Sequence, residues 1–377
     1  TTNRKPENAT TLKPLLNCDV YSPDHLGLCD MLLGGGKILA LSPSLKHLGS
    51  LSEMQKKDMN GRIVCPGLVD VHAHITGGGG EMGPASRMPE LRFEDFIHNG
   101  VTTVLGLLGT DSISRSLENL IFKARALQQQ GLTVLVLTGH YSYPSTTLTG
   151  SVQRDIALIE QCIGVKIAVS DHRGSNINPL ELARLASDAR VSGMLAGKPG
   201  ITMAHLGSSK RMMTPLLDAL ELSDVPACNF VPTHCERSPD LVLQAARFTR
   251  MGGNADFTAD DEGGGQGSAG AIMQALSAGA DKSRLTVSSD AGGSLPVFDK
   301  SGQCTGMEQA TSSSLLAELR RLVNLHGLGL EDALPFFTAN PARLLGLEGK
   351  KGALAAGADA DILVLNDELR IQSLYLG

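Results

Sequence analysis

Six side chains able to hold or activate a metal ion stand within or at the ends of short apolar runs: His72 and His74 in GLVDVHAH, Lys166 in GVKIAVS, His205 in ITMAH, His234 in VPTH and Asp290 in TVSSD. On a β-strand, residues i and i+2 share a face, so His72 and His74 point together with Asp70, while Val69, Val71 and Ala73 point the other way. Two imidazoles so placed make part of a metal site. Taken alone, the pair also reads as two core histidines bonded to carbonyls. Three further ligands, each closing its own apolar run, make coincidence a poor explanation.

Lys166 is the most informative of the six. Val165, Ile167 and Val169 alternate to one side, which leaves Lys166 pointing to the other, where an isolated ammonium is costly. Two readings are open: its head reaches solvent or a carboxylate, or the amine is carbamylated by carbon dioxide and offers two oxygens that bridge two metals. Beside so many ligands the second gains weight. Four imidazoles, a carbamate and an aspartate suit a dinuclear site with metals about 3.5–4 Å apart and a shared hydroxide. Neutral imidazole with oxygen ligands favours two Zn2+, although Co2+, Ni2+ or Mn2+ can occupy the same set.

For these residues to meet, their runs must be strands with converging ends. Candidate strands cover 63–74, 101–108, 132–138, 164–169, 201–206, 229–234, 255–259 and 285–290. Between them lie helical patterns. Ile113, Leu117, Leu120, Ile121 and Ala124 form one stripe that stops at Gly131, and SVQRDIALIEQCIG opens on a Ser N-cap and ends at Gly164. Alternation reaching eight predicts an α/β fold, a parallel (β/α)8 barrel of the TIM type with its active site at the C-terminal strand ends. Short strand-like pieces with glycine turns at 18–62 and 352–366 predict a small β-sandwich domain built from both chain termini. The expected division is 63–341 for the barrel, with 1–62 and 342–377 for the small domain.

Composition narrows the partners. A chain of 377 residues with 42% hydrophobic content can bury a full core. Its net charge of -6, without a lysine or arginine run, argues against nucleic acid and anionic lipid. Aromatics at 3% with no Trp leave no base-stacking platform. The expected partner is a small molecule. Seven cysteines without a CxxC pair suggest reduced structural thiols. The polar start and the lack of a long apolar stretch point to a cytoplasmic protein.

The constellation of HxH, then Lys, His, His and Asp on successive strands resembles the amidohydrolase superfamily and, within it, the isoaspartyl dipeptidase family. PGLVDVHAHITGGGGEMGP, VLGLLGTDSISR, LTGHYSYPS, GVKIAVSDHR, GKPGITMAHLGSSK, VPTHCER and TVSSDAGGSLP carry the resemblance over about residues 63 to 298. It implies that His72 and His74 with Asp290 hold one metal, His205 and His234 hold the other, and carboxylated Lys166 bridges both. It further implies that Asp290 takes a proton from the bridging hydroxide and passes it to the leaving amine. Tyr141 would stabilise the oxyanion, although a tyrosine anchoring a loop fits the same position.

The resemblance also gives the glycine run a purpose. Gly77 to Gly80 let the backbone turn sharply, and Glu81 would hold a substrate α-ammonium. No GK[ST] follows, which discounts a phosphate loop; a surface turn with a solvated Glu stays open. A dipeptide with two carboxylates needs cationic or hydroxyl partners, for which Arg173, Arg237 and Ser294 are candidates, and structural ion pairs are the alternative for the arginines. Gly79, Gly80 and Thr110 match substrate-contacting positions. His172 reads as a structural or supporting histidine, and His25, His47, His98 and His326 as surface residues. His140, Cys235, Ala291 and Gly292 receive no role.

The resulting expectation is a metal-dependent hydrolase of β-aspartyl dipeptides that forms homo-oligomers, octamers by resemblance. A cyclic-amide hydrolase of the dihydropyrimidinase or dihydroorotase kind is the alternative enzyme, and it has no need of Glu81. A non-catalytic scaffold would have lost ligands; all six are present.

Overall fold

The computed structural model describes residues 12–45, 56–260, 267–299, 301 and 303–377; His47 lies outside them. The chain opens with β1 (Lys13–Tyr21), β2 (His25–Gly34), β3 (Lys37–Ser42), β4 (Lys57–Asp58) and β5 (Ile63–Pro66). The parallel set follows as β6 (Leu68–Ala73), β7 (Val101–Gly106), β8 (Thr133–Gly139), β9 (Cys162–Val169), β10 (Ile201–Leu206), β11 (Phe230–Thr233), β12 (Ala255–Thr258) and β13 (Leu285–Ser288). A hairpin, β14 (Ser294–Phe298) and β15 (Cys304–Gln309), precedes the returning β16 (Ile362–Leu365) and β17 (Ile371–Tyr375).

The run expected as a single strand over 63–74 is two strands in different sheets. Gly67 N–H donates to Asp361 O at 2.9 Å and Leu68 N–H to Gly100 O at 2.9 Å, so the backbone changes sheets within two residues. β5 pairs with β1 and β16, whereas β6 pairs with β7. Hydropathy alone cannot mark this switch, because both strands are buried.

The terminal sheet has the order β17-β16-β5-β1-β2-β3, with β4 on β1, and so joins the two chain ends. It has its own apolar core around Leu15, Val20, Met31, Ile38, Val64, Ile362 and Val364. Each such side chain contributes about 1.5–3 kcal/mol when fully buried.

The barrel strands run β11-β10-β9-β8-β7-β6 in one parallel sheet, with β12-β13 as a parallel pair. Backbone bonds join the two groups near the C-terminal strand ends: His74 N–H to Ala291 O at 2.7 Å and Cys235 N–H to Asp256 O at 3.1 Å. The architecture is the (β/α)8 TIM-type barrel of the α/β class, with a small β unit built from the termini. Ala342, Leu344 and Leu345 pack with Val69 and Val71, so barrel packing continues past residue 341. Ala73 instead joins the large cluster beneath the helices, and the register of β6 on β7 shifts on both sides of Asp70. The alternation expected across Val69, Val71 and Ala73 is broken by these irregularities.

Helices α1 (Phe93–Ile97), α2 (Leu117–Gln130), α3 (Val152–Leu158) and α4 (Pro179–Ala196) connect the first strands. Ser116, Ser151 and Asn178 accept backbone N–H bonds at the starts of α2, α3 and α4, caps worth about 1 kcal/mol each. α2 buries Leu117, Leu120, Ile121, Ala124 and Leu127 and ends at left-handed Gly131. Ile113 is not in the stripe; it is 99% exposed before the Ser116 cap. α3 stops at Leu158 rather than Gly164, because Cys162 already opens β9. No helix among the described residues is long and apolar enough to cross a membrane.

Candidate active site

Four histidine rings converge where β6, β10 and β11 end. His72 lies 5.5 Å from His74 and 5.2 Å from His234, and His205 lies 4.4 Å from His234, between ring centroids. Asp290 joins them from beyond β13, with Oδ1 at 3.3 Å from His72 Nε2 and 3.1 Å from His74 Nε2. His234 and Asp290 each follow the last residues of a strand in a left-handed backbone conformation, with φ of 66° and 52°. Such conformations cost non-glycine residues about 1–3 kcal/mol and persist where the surroundings over-determine them.

The donor set fits a metal centre. Ligand atoms of His72, His234 and Asp290 lie within 4.8 Å of one another. His234 Nε2 and Asp290 Oδ1 are buried without a partner of hydrogen-bonding geometry, an arrangement that costs free energy unless something binds there. The opposite edges of the rings are held. His72 Nδ1 meets Thr233 Oγ1 at 3.2 Å and His234 Nδ1 meets Thr258 Oγ1 at 2.7 Å. His205 Nε2 meets Asp171 Oδ2 at 2.9 Å. Partners on the far nitrogen set the tautomer and direct the other nitrogen inward. Burial, the largest influence, lowers His72 and His234 well below the usual imidazole range and His205 to about 3, keeping neutral rings.

Lys166 sits inside this group, fully buried, with Nζ 3.1 Å from His72 Nε2. Val165, Ile167 and Val169 pack in the same cluster as Leu182, Leu185 and Ala186 of α4, so the lysine is on the other face of β9. Burial lowers its ammonium to about 7, against opposing pulls from Asp290 and Asp256. Burial would raise Asp290, but His72 and then His74 hold the carboxyl well below the usual range.

A cleft of about 340 Å³ opens over the cluster, lined by Gly79, Glu81, Thr110, Tyr141, Arg173, Arg237 and Ser294 among others. Gly80 is not among its lining residues; it lines a neighbouring concavity with Arg87 and Asp111. Glu81 receives hydrogen bonds from Thr110 Oγ1 at 3.1 Å and Ser294 Oγ at 3.3 and 3.4 Å, and Arg173 Nη1 lies 3.6 Å away. Arg237 Nη1 donates to Leu206 O at 2.6 Å. Tyr141, 5% exposed, meets His205 Nδ1 with its hydroxyl at 2.8 Å. Burial pushes its phenol above the usual range, so it stays a donor.

The glycine loop packs against the backbone of Ser86 and Met88, closely enough to need glycine. A Cβ on Gly77 would lie 2.3 Å from Met88 O, and one on Gly79 would lie 2.4 Å from Ser86 O; both have positive φ. Arg115, at 5% exposure, clamps the loop by donating to the carbonyls of Thr76, Gly78 and Met88.

Sequence reasoning missed five supporting residues: Arg115, Asp171, Thr233, Asp256 and Thr258. Asp256 is fully buried and accepts from Thr233 Oγ1 at 2.7 Å, Thr286 Oγ1 at 2.7 Å and Ser288 Oγ at 2.6 Å, so it anchors the threonine that steadies His72. The available signal was polar residues inside the otherwise apolar runs NFVPTH and ADFTA. His172 is not a supporting residue: its side chain is 90% exposed, and the adjacent Asp171, at 2%, takes that place. His326 is not simply a surface residue either, since its Nε2 is buried without a partner. His140 is also buried.

A (β/α)8 barrel with histidines, a lysine and an aspartate at its C-terminal strand ends defines a class, and comparison with known proteins agrees. The amidohydrolase family matches residues 63–375, and the chain belongs to that family. It is similar to the β-aspartyl dipeptidase of Fervidobacterium islandicum AW-1, whose crystal structure in complex with β-Asp-Leu dipeptide is 40% identical. That structure gives a TM-score of 0.89 over 97% of this chain and 95% of the other. N-acetylglucosamine-6-phosphate deacetylase from Pasteurella multocida, 15% identical with a TM-score of 0.66 over 97% and 98% of the two chains, shares the fold. Among curated proteins, human N-acetylglucosamine-6-phosphate deacetylase is 45% identical over 58 residues, only 15% of this chain and 14% of its own length. Imidazolonepropionase of Brucella suis is 22% identical over 93% of this chain and 91% of its own.

Proposed function

We propose that this protein hydrolyses β-aspartyl dipeptides, releasing aspartate and the second amino acid. The observation that carries the reading is Glu81, a carboxylate set in the same cleft as the histidine cluster and flanked by Thr110, Ser294 and Arg173. A dipeptide of this type presents one ammonium and two carboxylates. Glu81 accepts from the ammonium, while Arg173, Arg237 and Ser294 meet the carboxylates with charge-assisted bonds. Gly79 lines the cleft with its backbone, and Thr110 keeps Glu81 oriented. A neutral cyclic amide makes no use of such an acid.

His72, His74 and Asp290 would hold one zinc ion and His205 and His234 a second, with carboxylated Lys166 shared between them. Bound zinc supplies Lewis acidity and an activated water at neutral pH. Asp290, kept ionised by the neighbouring imidazoles, accepts the proton of the attacking water. It then returns that proton to the amine nitrogen as the C–N bond breaks. Tyr141 donates its hydroxyl hydrogen bond to the carbonyl oxygen, where negative charge develops. The histidine rings themselves are buried, and the low-dielectric surroundings strengthen each of these interactions.

The test is a substrate panel with zinc-loaded protein: β-Asp-Leu against dihydrouracil, dihydroorotate and hydantoin. The proposal expects turnover of the dipeptide alone. Turnover of a cyclic amide without the dipeptide would replace it with the cyclic-amide reading.

A further inference from the structure

We propose that Asp171 is a positioning residue that couples the metal-facing and substrate-facing halves of the site, an inference that rests on Arg173 acting as a substrate contact. Asp171 follows Ser170, a non-glycine residue in the left-handed region with φ of 56°, just past the end of β9. Its side chain is 2% exposed.

A carboxylate offers about four acceptor positions, and here all four are used. Oδ1 accepts from the Arg173 backbone N–H at 2.7 Å and from Arg173 Nε at 3.0 Å. Oδ2 accepts from Arg173 Nη2 at 2.8 Å and faces His205 Nε2 at 2.9 Å. Arg173 Nη2 and His205 Nε2 are themselves 3.2 Å apart, so two donors share one corner that only an anionic acceptor can serve.

Two directions follow from one side chain. The guanidinium is locked in a fork with Nη1 as its remaining end, aimed into the cleft toward Glu81 at 3.6 Å. The imidazole is locked with its proton on Nε2, which leaves the Nδ1 lone pair facing Tyr141 OH at 2.8 Å, on a ring whose centroid lies 4.4 Å from that of His234. A displacement of either group therefore moves the acceptor of the other. An asparagine has the same shape, but it replaces half the acceptor positions with an N–H2 donor and cannot serve both.

The experiment compares wild-type protein, Asp171→Asn and Arg173→Lys by titration of the metal-free chain with Co2+, followed in the visible spectrum, and by the kinetics of the reloaded enzymes on β-Asp-Leu. Asp171→Asn is expected to weaken one of the two cobalt-binding steps by about 10–100-fold, the usual effect of removing a carboxylate behind a ligating histidine, and to raise KM about tenfold or more. Arg173→Lys is expected to raise KM and to weaken cobalt binding less than Asp171→Asn does, because the Asp171 carboxylate still faces His205 while losing the guanidinium fork that fixes it. A cobalt titration for Asp171→Asn that matches wild type would overturn the proposal, whether or not its melting temperature falls. Wild-type protein that binds cobalt but leaves β-Asp-Leu intact would refute the functional reading instead, and the cobalt titration would still decide the role of Asp171.

Discussion

The amine of Lys166 lies 3.1 Å from Nε2 of His72, and neither side chain reaches solvent. Among the described residues no carboxylate comes within ion-pair distance of this lysine. An unpaired buried ammonium is among the costliest groups a fold can carry. Its position among four histidines and an aspartate accounts for its retention if the amine is carboxylated and shared by two metals.

Lys166→Met is therefore expected to fold, with a metal-free melting temperature equal to or above that of wild type, because an apolar side chain of similar volume replaces a desolvated amine. It should also bind fewer than two zinc ions per chain and lose at least about a thousandfold in activity, the scale on which metal-assisted chemistry operates. Elemental analysis alongside thermal unfolding checks both halves. Full zinc content in the variant would contradict the bridging role.

Glu81→Gln keeps the shape of the side chain and removes its charge. The expected result is a fall in kcat/KM on β-Asp-Leu of about 10–100-fold, corresponding to a charge-assisted hydrogen bond of about 1.5–3 kcal/mol. Zinc content should not change, since Glu81 meets Thr110, Ser294 and Arg173 rather than the histidines. Steady-state kinetics on metal-quantified protein decides this.

Tyr141→Phe removes one hydroxyl from the cleft. Loss of a single oxyanion donor lowers kcat by about 100–1000-fold, and KM should move little because the ring stays in place. A variant with altered KM and normal kcat would assign Tyr141 to substrate binding instead.

Much of this site was legible because barrel chemistry sits at strand ends, where a ligand-type residue interrupts an apolar run. His72, His74, Lys166, His205, His234 and Asp290 all show that signature, and the structure brings them together. The switch of sheets at Gly67 was not legible, since β5 and β6 are both continuous buried strands. Helix limits near Ile113 and Leu158 were misplaced because apolar periodicity runs on past the Ser116 cap and into the strand beginning at Cys162. Asp171 and Asp256 were missed for another reason. Their roles depend on which distant side chains they meet, His205 from β10 and Thr233 from β11, and local spacing carries no record of that.

The thiols give a prediction away from the site. Burial raises Cys65 and, with lesser electrostatic contributions, Cys18 and Cys162 to about 12 each. Between pH 9 and about 12 the unfolded chain has lost these protons while the folded chain keeps them, so stability falls as pH rises through that window. Denaturant unfolding at stepped pH should show a shallower decline for Cys65→Ala than for wild type. In the native protein at pH 8, exposed Cys228 should react with a thiol reagent long before these three do.

The most direct test of the account is the ratio of kcat/KM for β-Asp-Leu to that for α-Asp-Leu, measured on zinc-loaded protein. The two peptides share composition and charge and differ only in which carboxyl forms the amide, so the ratio reads the placement of Glu81 and the arginines relative to the metal-facing cluster. The account predicts cleavage of the β-linked peptide, with the α-linked isomer slower by at least about a hundredfold, as expected when mispositioned charged groups are left unpaired. Equal rates, or no cleavage of either peptide by protein with two metals bound, would contradict it.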